Sequence, residues 1–277
     1  MNLTDQEIQQ LIKNIQTSRK YREMGLNPET VRDLITQEAP SHTSQKTLRK
    51  TVRRKLHNIV APYLGEPDYP SLTADLRSIK NTNPNSQEIR SFCIRVLSEH
   101  ASTAERIPFM AAFYQHIFAI TGVPDTLLDL ACGLHPLAFP WMGLPTSIDY
   151  HAFDIIQPRV DFINAFFGRI GVAPLAQNRD IFAHTSEHHA RQRLFFKEAH
   201  RFEKRAPGCN SAFWTSLNTR WLAVSLPTQN LAGTHSLLDQ HKALILDNLP
   251  VDYGQIHEIE FANEIVFLIN NPGGVSG

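Results

Sequence analysis

An apolar run that ends in small residues is the first feature of this sequence that could do chemistry. The run is Leu127–Gly133, with the sequence LLDLACG. A strand that stops at Ala131 and Gly133 would let a cofactor approach the backbone closely, because small residues leave space beside it. A strand followed by a glycine turn also occurs in α/β proteins that bind no nucleotide. The run therefore predicts either a cofactor contact or an ordinary turn.

Two aspartates fit the cofactor interpretation of this run. Asp154 lies 21 residues after Gly133, at the end of the next predicted strand. An acidic side chain about 20 residues after such a turn typically binds ribose hydroxyls. Asp180 would close a third strand over 177–182, where its carboxylate could accept a hydrogen bond from an adenine amine. Each aspartate could equally be a surface residue at a strand end, so both interpretations stay open.

The segment His100–Arg106 (HASTAER) precedes the predicted sheet. Its Ser102-x-x-Glu105 pattern is a capping box, which predicts the start of a helix that continues over 109–117. Arg106 would lie in the first turn of this helix, where a cation opposes the helix dipole and a bound carboxylate would offset that cost. The segment therefore predicts a helix start that can also hold an anion.

Metal and redox chemistry have little support in the sequence. The cluster His184, His188 and His189 lacks the H-E-x-x-H spacing and a carboxylate to complete a site, so we interpret it as a solvated loop and expect no metal. The cysteines form no C-x-x-C pair and are expected to be reduced. They are Cys93, Cys132 and Cys209. Hydrolase, NTPase and penicillin-binding functions also lack support, because the G-x-S-x-G, Walker A and S-x-x-K motifs are missing from the sequence.

The candidate cofactor-binding residues must be positioned by the apolar segments that alternate with helical patterns along the chain. From about residue 105 this alternation favours a mostly parallel α/β sheet. Predicted strands cover Thr126–Leu130, Ser147–Phe153, Arg220–Leu226, Gln255–Phe261 and Glu264–Ile269. Only Ala262 and Asn263 separate the last two, which predicts an antiparallel hairpin at the edge of the sheet. A further segment, Arg191–Phe196, is unusually polar for a buried strand.

The first sixty residues have the pattern of three amphipathic helices. Thr4-x-x-Glu7 is a capping box before apolar residues at helical spacing, and Asn27-Pro28 matches an N-cap followed by a first-turn proline. A third helix carries apolar residues between Val52 and Val60 on one face. Its opposite face is basic, with Arg49, Lys50, Arg53, Arg54 and Lys55. This face could bind a polyanion or could simply be solvated.

The helical pattern stops over 61–86, which is rich in proline, asparagine and serine, and resumes over 89–97. We therefore predict an all-helical domain over 1–104 and an α/β domain over 105–277. The change from helical to mixed periodicity sets this boundary.

The chain has no net charge, but its charges are unevenly distributed. Residues 1–106 carry 16 Lys and Arg against 12 Asp and Glu, whereas residues 107–277 carry 11 against 15. The first part is therefore the better candidate for binding a polyanion such as RNA. No apolar run is long enough for a signal peptide or a membrane helix, so we expect a cytoplasmic protein without a membrane partner.

Four motifs occur in a specific order along the chain. They are His100–Arg106 (HASTAER), Leu128–Leu137 (LDLACGLHPL), Ser216–Thr219 (SLNT) and Ala223–Thr228 (AVSLPT). Their order and spacing resemble the Arm/Rmt type of aminoglycoside-resistance 16S rRNA methyltransferase, an FmrO-like family. A weaker likeness extends through the amino-terminal helices, including Ser18–Tyr21 and Arg53–His57, so the resemblance covers nearly the whole chain.

The resemblance implies a Rossmann-like class I S-adenosylmethionine-dependent methyltransferase sheet with an amino-terminal helical domain that binds the 30S subunit. It implies methyl transfer to N7 of the decoding-site guanine numbered 1405 in 16S rRNA, with S-adenosylhomocysteine as product and aminoglycoside resistance as the outcome. Such chemistry needs no general base, because N7 has a free in-plane lone pair and the enzyme need only align it and exclude water. We expect the enzyme to be a monomer.

The resemblance also implies roles for individual residues. Arg106 would bind the methionine carboxylate, Asp154 the ribose and Asp180 the adenine. The cofactor-binding set is His100, Ser102, Arg106, Ala131, Gly133, Asp154, Asp180 and Ile181. The residues near the target base are Lys197, Ser225, Pro227 and Thr228. The RNA-binding set is Arg19, Lys20, Arg49, Lys50, Arg53, Arg54 and Lys55.

Two alternatives to this function stay open. Relatives generally have an arginine and further glycines after the S-x-P-T stretch, whereas this chain has Gln229–Thr234 (QNLAGT). One alternative is a methyltransferase for another rRNA base or another RNA. The other is a non-catalytic RNA-binding protein that retains the fold, which a cofactor-binding measurement would separate from an enzyme.

Overall fold

The computed structural model describes residues 1–60, 67–183, 189–230, 232–250 and 253–274. The α-helices are α1 (Asp5–Gln16), α2 (Pro28–Glu38), α3 (Gln45–Val60), α4 (Tyr69–Ser78), α5 (Gln87–Leu97), α6 (Ala101–Ala104), α7 (Met110–Thr121), α8 (Phe139–Met142), α9 (Gln157–Ile170), α10 (Ala199–Arg205), α11 (Cys209–Ser216) and α12 (Leu238–Asp247). The strands are β1 (Thr126–Asp129), β2 (Asp149–Asp154), β3 (Ala176–Asn178), β4 (Gln192–Phe196), β5 (Trp221–Pro227), β6 (Ile256–Glu260) and β7 (Glu264–Asn270).

The first two helices begin where the sequence predicts. Thr4 and Glu7 form the capping box of α1, in which each side chain accepts a hydrogen bond from the other residue's backbone N–H. Asn27 caps α2 by accepting a hydrogen bond of 2.8 Å from the Glu29 N–H, with Pro28 in the first turn. These bonds satisfy N–H groups that have no partner within the helix. Both predicted helix starts are confirmed.

Helix α4 lies inside the segment 61–86, where the sequence predicts an interruption. Asp68 caps this helix by accepting a 3.1 Å hydrogen bond from the Ser71 N–H, and Pro70 occupies its first turn. Proline is compatible with a helix start, since the first N–H groups need no intrahelical acceptor. The interruption is therefore wrong for residues 69–78, and residues 61–66 lie outside the described part of the chain.

The seven strands form one sheet in the order β3-β2-β1-β4-β5-β7-β6. Neighbours from β3 to β5 are parallel, and β7 pairs antiparallel with both β5 and β6. The predicted α/β sheet and its edge hairpin are thus confirmed. The described helices include none that is long and apolar enough to span a membrane.

The polar segment before Lys197 forms β4, and all five of its residues are buried. Gln192 accepts a hydrogen bond of 2.9 Å from the Thr121 hydroxyl of α7. Burial lowers the pKa of Arg193 to about 10. Strands in the middle of a parallel sheet are covered on both faces, so polar side chains there need partners inside the protein.

Three hydrophobic cores hold the elements together. One core joins α4, α5, α7 and α9 to one face of the sheet, and a second joins α10, α11 and α12 to the other face. Helices α1 to α3 enclose a third core of their own, to which Ile156 contributes. A separate core thus belongs to α1 to α3, here called the helical module, and the domain boundary between residues 104 and 105 stays a prediction.

The helical module is attached to the ends of β2 and β3. The Asn27 N–H donates to the Ile155 carbonyl at 2.9 Å, and the Asn27 side chain donates to the Asn178 carbonyl at 2.8 Å. Gly25 has a φ of +51°, and a Cβ there would lie 2.8 Å from Cβ of Gln157. Only glycine allows this close approach without strain. The module therefore lies directly against the loops that leave the sheet.

Candidate active site

A cavity of about 1230 Å³ opens at the carboxyl ends of β1, β4 and β5. Ligands of open α/β sheets bind at this edge. Seven of the predicted site residues line it: His100, Ser102, Arg106, Ala131, Gly133, Lys197 and Pro227. Five others do not: Asp154, Asp180, Ile181, Ser225 and Thr228. The structure thus brings one group of candidates together and leaves the other group behind or beside the cavity wall.

The predicted capping box of Ser102 and Glu105 is wrong. Helix α6 spans only Ala101–Ala104, and its N-cap, His100, forms no capping hydrogen bond through its side chain. A 3-10 turn follows over Ile107–Phe109, and α7 begins at Met110. The proline after Ile107 disfavours a continuous helix through this segment. Arg106 consequently precedes the long helix instead of lying in its first turn.

Arg106 and Lys197 are held by two glutamates, Glu264, which sequence reasoning did not select, and Glu105, which it assigned only to a capping box. Arg106 donates two hydrogen bonds to Glu264 of β7, one of them at 3.1 Å. Lys197 Nζ lies 3.5 Å from the same carboxylate and 2.7 Å from Oε2 of Glu105. Burial alone would raise the pKa of Glu264, but the charges of Arg106 and Lys197, together with the hydrogen bonds that the carboxylate accepts, outweigh burial and lower the pKa. Two cations and two anions therefore compensate one another beneath the cavity.

The aromatic rings of Phe113 and Phe196 pack against Arg106. Its guanidinium carbon lies 4.3 Å from the centroid of the Phe113 ring and 4.9 Å from that of Phe196. Rings over a guanidinium attract its charge and fix its plane. The remaining Arg106 donors are thereby held in one orientation at the cavity wall.

Three cavity residues have a positive φ. The values are 53° for Ala131, 55° for Gly133 and 59° for Lys197. Residues other than glycine rarely adopt this conformation, and such strain is concentrated at functional sites. A Cβ on Gly133 would meet no atom within 4 Å, so open space adjoins its backbone. This geometry leaves room for a cofactor beside the backbone at Ala131 and Gly133, and the predicted close approach stays a prediction.

A buried hydrogen-bonded cluster supports the turn after β1. Asp129 Oδ2 lies 2.5 Å from Nδ1 of His135 and accepts a 2.8 Å hydrogen bond from the Tyr150 hydroxyl. The other ring nitrogen of His135 lies 2.6 Å from the Tyr114 hydroxyl. Burial raises the pKa of Tyr114 and Tyr150. Asp129 and His135 lie inside the LDLACGLHPL motif, which is the signal that could have identified them.

Asp154 binds protein groups through both carboxylate oxygens. Oδ2 accepts hydrogen bonds from the Gly133 N–H at 3.0 Å and from Arg159 at 2.7 Å, and Oδ1 accepts one from the Ile156 N–H at 2.9 Å. Arg159 of α9 also donates to the Tyr69 hydroxyl of α4 at 3.2 Å. Asp154 is therefore buried and fixes the Gly133 turn, which corrects the interpretation of it as a surface aspartate.

Asp180 lies two residues beyond β3, which ends at Asn178 and not at the predicted third-strand end. Its Oδ1 accepts a hydrogen bond of 3.0 Å from the Phe182 N–H, and its Oδ2 accepts one of 2.9 Å from Arg205 of α10. Ile181 packs in the core on the α10 side of the sheet. Asp180 is 2% exposed, so it too is buried and not an ordinary surface residue.

Three of the four residues expected near a target base, Ser225, Pro227 and Thr228, lie at the carboxyl end of β5, and the fourth, Lys197, directly follows β4. Ser225 pairs with Phe196 in the sheet and is buried. Pro227 lines the cavity, and its carbonyl lies 2.8 Å from Nδ1 of His241. The Thr228 N–H donates to the Asn263 carbonyl at 3.0 Å. Strand β5 therefore places Pro227 at the cavity and Ser225 and Thr228 behind it.

The candidate RNA-binding residues gather on the helical module. Arg49, Lys50 and Arg54 are exposed on α3, and Lys55 pairs with Glu38 at 2.5 Å. Arg53 is half-buried. The other two candidates are Arg19 and Lys20, both exposed. Lys20 Nζ lies 2.7 Å from Nδ1 of His57, so Lys20 lies beside the last turn of α3.

Of the predicted histidine cluster, His184 and His188 lie outside the described residues, and His189 is exposed. The described ranges contain no group of three or more His, Cys, Asp or Glu that could hold a metal ion. All three cysteines are free thiols, as the sequence predicts.

A buried histidine, His100, and a half-buried one, His200, make the stability of this site pH-dependent. Burial lowers the pKa of His200 from 6.5 to about 3 and that of His100 from 6.5 to about 4. Between these values the unfolded chain takes up protons that the folded chain does not, so the free energy of unfolding falls as the pH is lowered from 6.5 toward 4. We expect His200→Gln to make this fall shallower in urea titrations. A fall as steep as in the wild type would contradict the expectation.

The parallel order β3-β2-β1-β4-β5, the antiparallel hairpin beyond it and the cavity over the carboxyl ends define a Rossmann-like class I methyltransferase. The model of the family described as ribosomal RNA methyltransferase (FmrO) matches residues 17–268. The chain belongs to this family and is an rRNA methyltransferase. The predicted fold class and enzyme class are confirmed.

Curated relatives match almost the whole chain. A 16S rRNA (guanine(1405)-N(7))-methyltransferase of Micromonospora rosea is 31% identical over 270 residues, which cover 96% of this chain and 97% of the relative. An enzyme of the same name from Serratia marcescens is 29% identical over 283 residues, which cover 99% of this chain and 100% of the relative.

Solved structures agree with this assignment. The 16S rRNA methylase RmtB is 28% identical, with a TM-score of 0.79 over 95% of this chain and 98% of that chain. The 16S rRNA methyltransferase RmtF in complex with S-adenosyl-L-homocysteine is 24% identical, with a TM-score of 0.79 over 97% of this chain and 100% of that chain. The second likeness supports the fold.

Proposed function

We propose that this protein transfers a methyl group from S-adenosylmethionine to N7 of the guanine at position 1405 of 16S rRNA, releasing S-adenosylhomocysteine. The observation that carries the proposal is the match to curated enzymes of this name over nearly the full length of both chains. The proposed substrate is the 30S subunit, as the resemblance to the Arm/Rmt family implies, and aminoglycoside resistance is the proposed outcome.

The cavity fits S-adenosylmethionine in its size and in its donor set. Open space adjoins Gly133, and the Ala131 and Gly133 backbone can lie against the cofactor. A guanidinium has five N–H donors, so Arg106 retains donors for the methionine carboxylate after binding Glu264. His100 and Ser102 line the same wall. When bound, S-adenosylmethionine supplies the electrophilic methyl group on its sulfonium.

Asp154 and Asp180 are proposed to bind the adenosine half. A carboxylate has about four lone-pair sites, and Asp154 uses three of them within the protein. We propose that a further lone-pair site of this carboxylate accepts a ribose hydroxyl. Asp180 would accept the adenine amine beside Ile181. This arrangement requires the Arg159 and Arg205 ion pairs to persist next to the bound cofactor.

The proposed methyl transfer requires the protein to align the base with the methyl group. It requires no proton transfer by a side chain. The N7 lone pair of guanine can attack a methyl group directly, so the site must orient the base and exclude water. Lys197 and the Ser225–Thr228 segment would supply the surface against the base. The charge of Lys197 is balanced by Glu105 and Glu264, so this surface places little net positive charge beside the developing cation on the base.

The cellular setting of the proposed reaction follows from its substrate. Ribosomal subunits lie in the cytoplasm, so we propose a cytoplasmic enzyme. We also propose that the enzyme acts as a monomer.

Methylation of purified 30S subunits tests the proposal. The subunits are incubated with the protein and S-adenosylmethionine labelled in its methyl group, and the modified base is mapped in the isolated 16S rRNA. Label at N7 of the proposed guanine is the expected result. Label at another base would establish a different rRNA target. Cofactor binding without any label in rRNA would favour the non-catalytic alternative.

Asp154→Asn is expected to weaken binding of S-adenosylhomocysteine by about 1–3 kcal/mol, because a charged acceptor is lost from the proposed ribose contact. Asparagine is the better variant, since alanine would also remove the side-chain oxygen that accepts a hydrogen bond from the buried Arg159. Isothermal titration calorimetry measures the affinity. Asp161→Asn, an exposed change on α9, is the matched control. Unchanged affinity in folded Asp154→Asn would exclude Asp154 from the cofactor site.

A further inference from the structure

A buried arginine connects the helical module to the proposed adenosine site. Arg205, the last residue of α10, lies with its Nη2 2.9 Å from Oδ2 of Asp180 and 2.8 Å from Oδ2 of Asp33 on α2. Its guanidinium also lies over the ring of Phe182, 4.3 Å from the centroid. One side chain therefore contacts both parts of the protein.

Each side chain in this arrangement orients the next one. Gln37, one turn after Asp33 on α2, donates to both Asp33 oxygens at 2.9 Å. Asp33 in turn accepts from Arg205, and Arg205 donates to both oxygens of Asp180. The side chains of Arg205 and Asp180 are 7% and 2% exposed, so water screens their interaction poorly. The position of Asp33 consequently influences the Asp180 carboxylate.

The loop that carries Asp180 is held by the same module. Asn27 binds the Asn178 carbonyl, and the Asn178 side chain donates to the Gly25 carbonyl at 3.1 Å. These bonds fix α2 relative to the end of β3. Asp33 therefore contacts Arg205 from a helix whose start is hydrogen-bonded to the end of β3.

We propose that Asp33 is a positioning residue of the cofactor site, acting through Arg205 on Asp180. This inference rests on the proposed role of Asp180 in binding adenine. With Asp33 present, Arg205 Nη2 is shared between two carboxylates, and Oδ2 of Asp180 keeps a lone-pair site for the adenine amine beside its bond from Arg205. Without the charge of Asp33, Arg205 associates more closely with Asp180 and competes with the adenine.

The test measures binding of S-adenosylhomocysteine to the full chain by calorimetry. Asp33→Asn is isosteric, and we expect it to raise the dissociation constant about 3- to 10-fold, the range typical of coupled neighbouring groups. The matched control is Asp5→Asn, which removes a partner of Arg32 at 3.4 Å within the module. The control should leave the dissociation constant unchanged. Wild-type affinity in folded Asp33→Asn would overturn the inference.

A double-mutant cycle separates this role from a merely structural one. If Asp33 acts through Arg205, then Asp33→Asn should have no further effect on the dissociation constant in an Arg205→Met background. Equal fold-losses in both backgrounds would show that Asp33 acts by another route. Should Asp33→Asn fail to fold, Gln37→Ala releases the Asp33 carboxylate while keeping its charge and should also weaken binding.

Asp180→Asn distinguishes failure of this inference from failure of the proposed site. If Asp180→Asn weakens binding and Asp33→Asn does not, only the positioning role is wrong. If Asp180→Asn leaves binding unchanged, the adenine contact and the positioning role are both wrong.

Discussion

Replacement of Arg106 by alanine is expected to abolish measurable methyl transfer and to lower the melting temperature. The substitution leaves the fully buried Glu264 with Lys197 alone, and breaking a buried ion pair costs about 3–5 kcal/mol. It also removes the charged donors proposed for the methionine carboxylate, worth about 1.5–3 kcal/mol in binding. Thermal unfolding, calorimetry with S-adenosylhomocysteine and 30S methylation measure the three effects.

A second variant separates the structural role of Arg106 from its binding role. Arg106→Ala combined with Glu264→Gln removes the uncompensated buried carboxylate, so much of the lost stability should return. The cofactor affinity should stay low, because glutamine does not replace the guanidinium. Normal affinity in this double variant would show that Arg106 only balances Glu264.

Arg53→Glu together with Arg54→Glu is expected to abolish binding to 30S subunits. Both residues lie on the basic face of α3, whose His57 contacts Lys20. Duplex RNA offers little to side chains in its narrow major groove, so phosphate contacts should supply most of the affinity. Each lost contact should also reduce the slope of log affinity against log salt concentration by about one. Filter binding across a salt series measures both quantities.

The control for this double variant lies at the opposite edge of the sheet. Arg191 and Arg220 stand at the amino ends of β4 and β5, away from the cavity, and Arg191→Glu with Arg220→Glu makes the same charge change. The control should keep the wild-type salt slope. Cofactor affinity should be unchanged in both double variants. An intact slope in Arg53→Glu with Arg54→Glu would mean that another surface binds the subunit.

Local patterns in the sequence predicted the features that depend on neighbouring residues. Helix caps at Thr4 and Asn27 and the turn at Ala131 and Gly133 are determined by short-range hydrogen bonding and backbone conformation. The capping box at Ser102 was wrong because its spacing is common, and the nearby proline outweighs it. A local pattern is therefore reliable where no neighbouring residue opposes it.

The ion-pair partners in the site could not be read from the sequence. Glu264 follows Arg106 by 158 residues, and Asp33 precedes Arg205 by 172 residues. These pairs form because the fold buries charges that then require compensation. A glutamate that opens an apolar strand is a signal for such a pair, but it does not identify the partner. The sequence thus indicates the candidate site residues, but it does not indicate the ion-pair partners that fix their positions.

The unequal charge of the two parts of the chain gives the protein an electric dipole moment. Excess positive charge lies in residues 1–106, where the basic surface of α3 is exposed, and excess negative charge lies in the rest. The electric field of a phosphate-rich surface exerts a torque on such a dipole. This torque turns the basic end of the protein toward the surface during diffusion. Collisions led by the acidic end are repelled. A molecule with no net charge can therefore arrive at RNA already oriented.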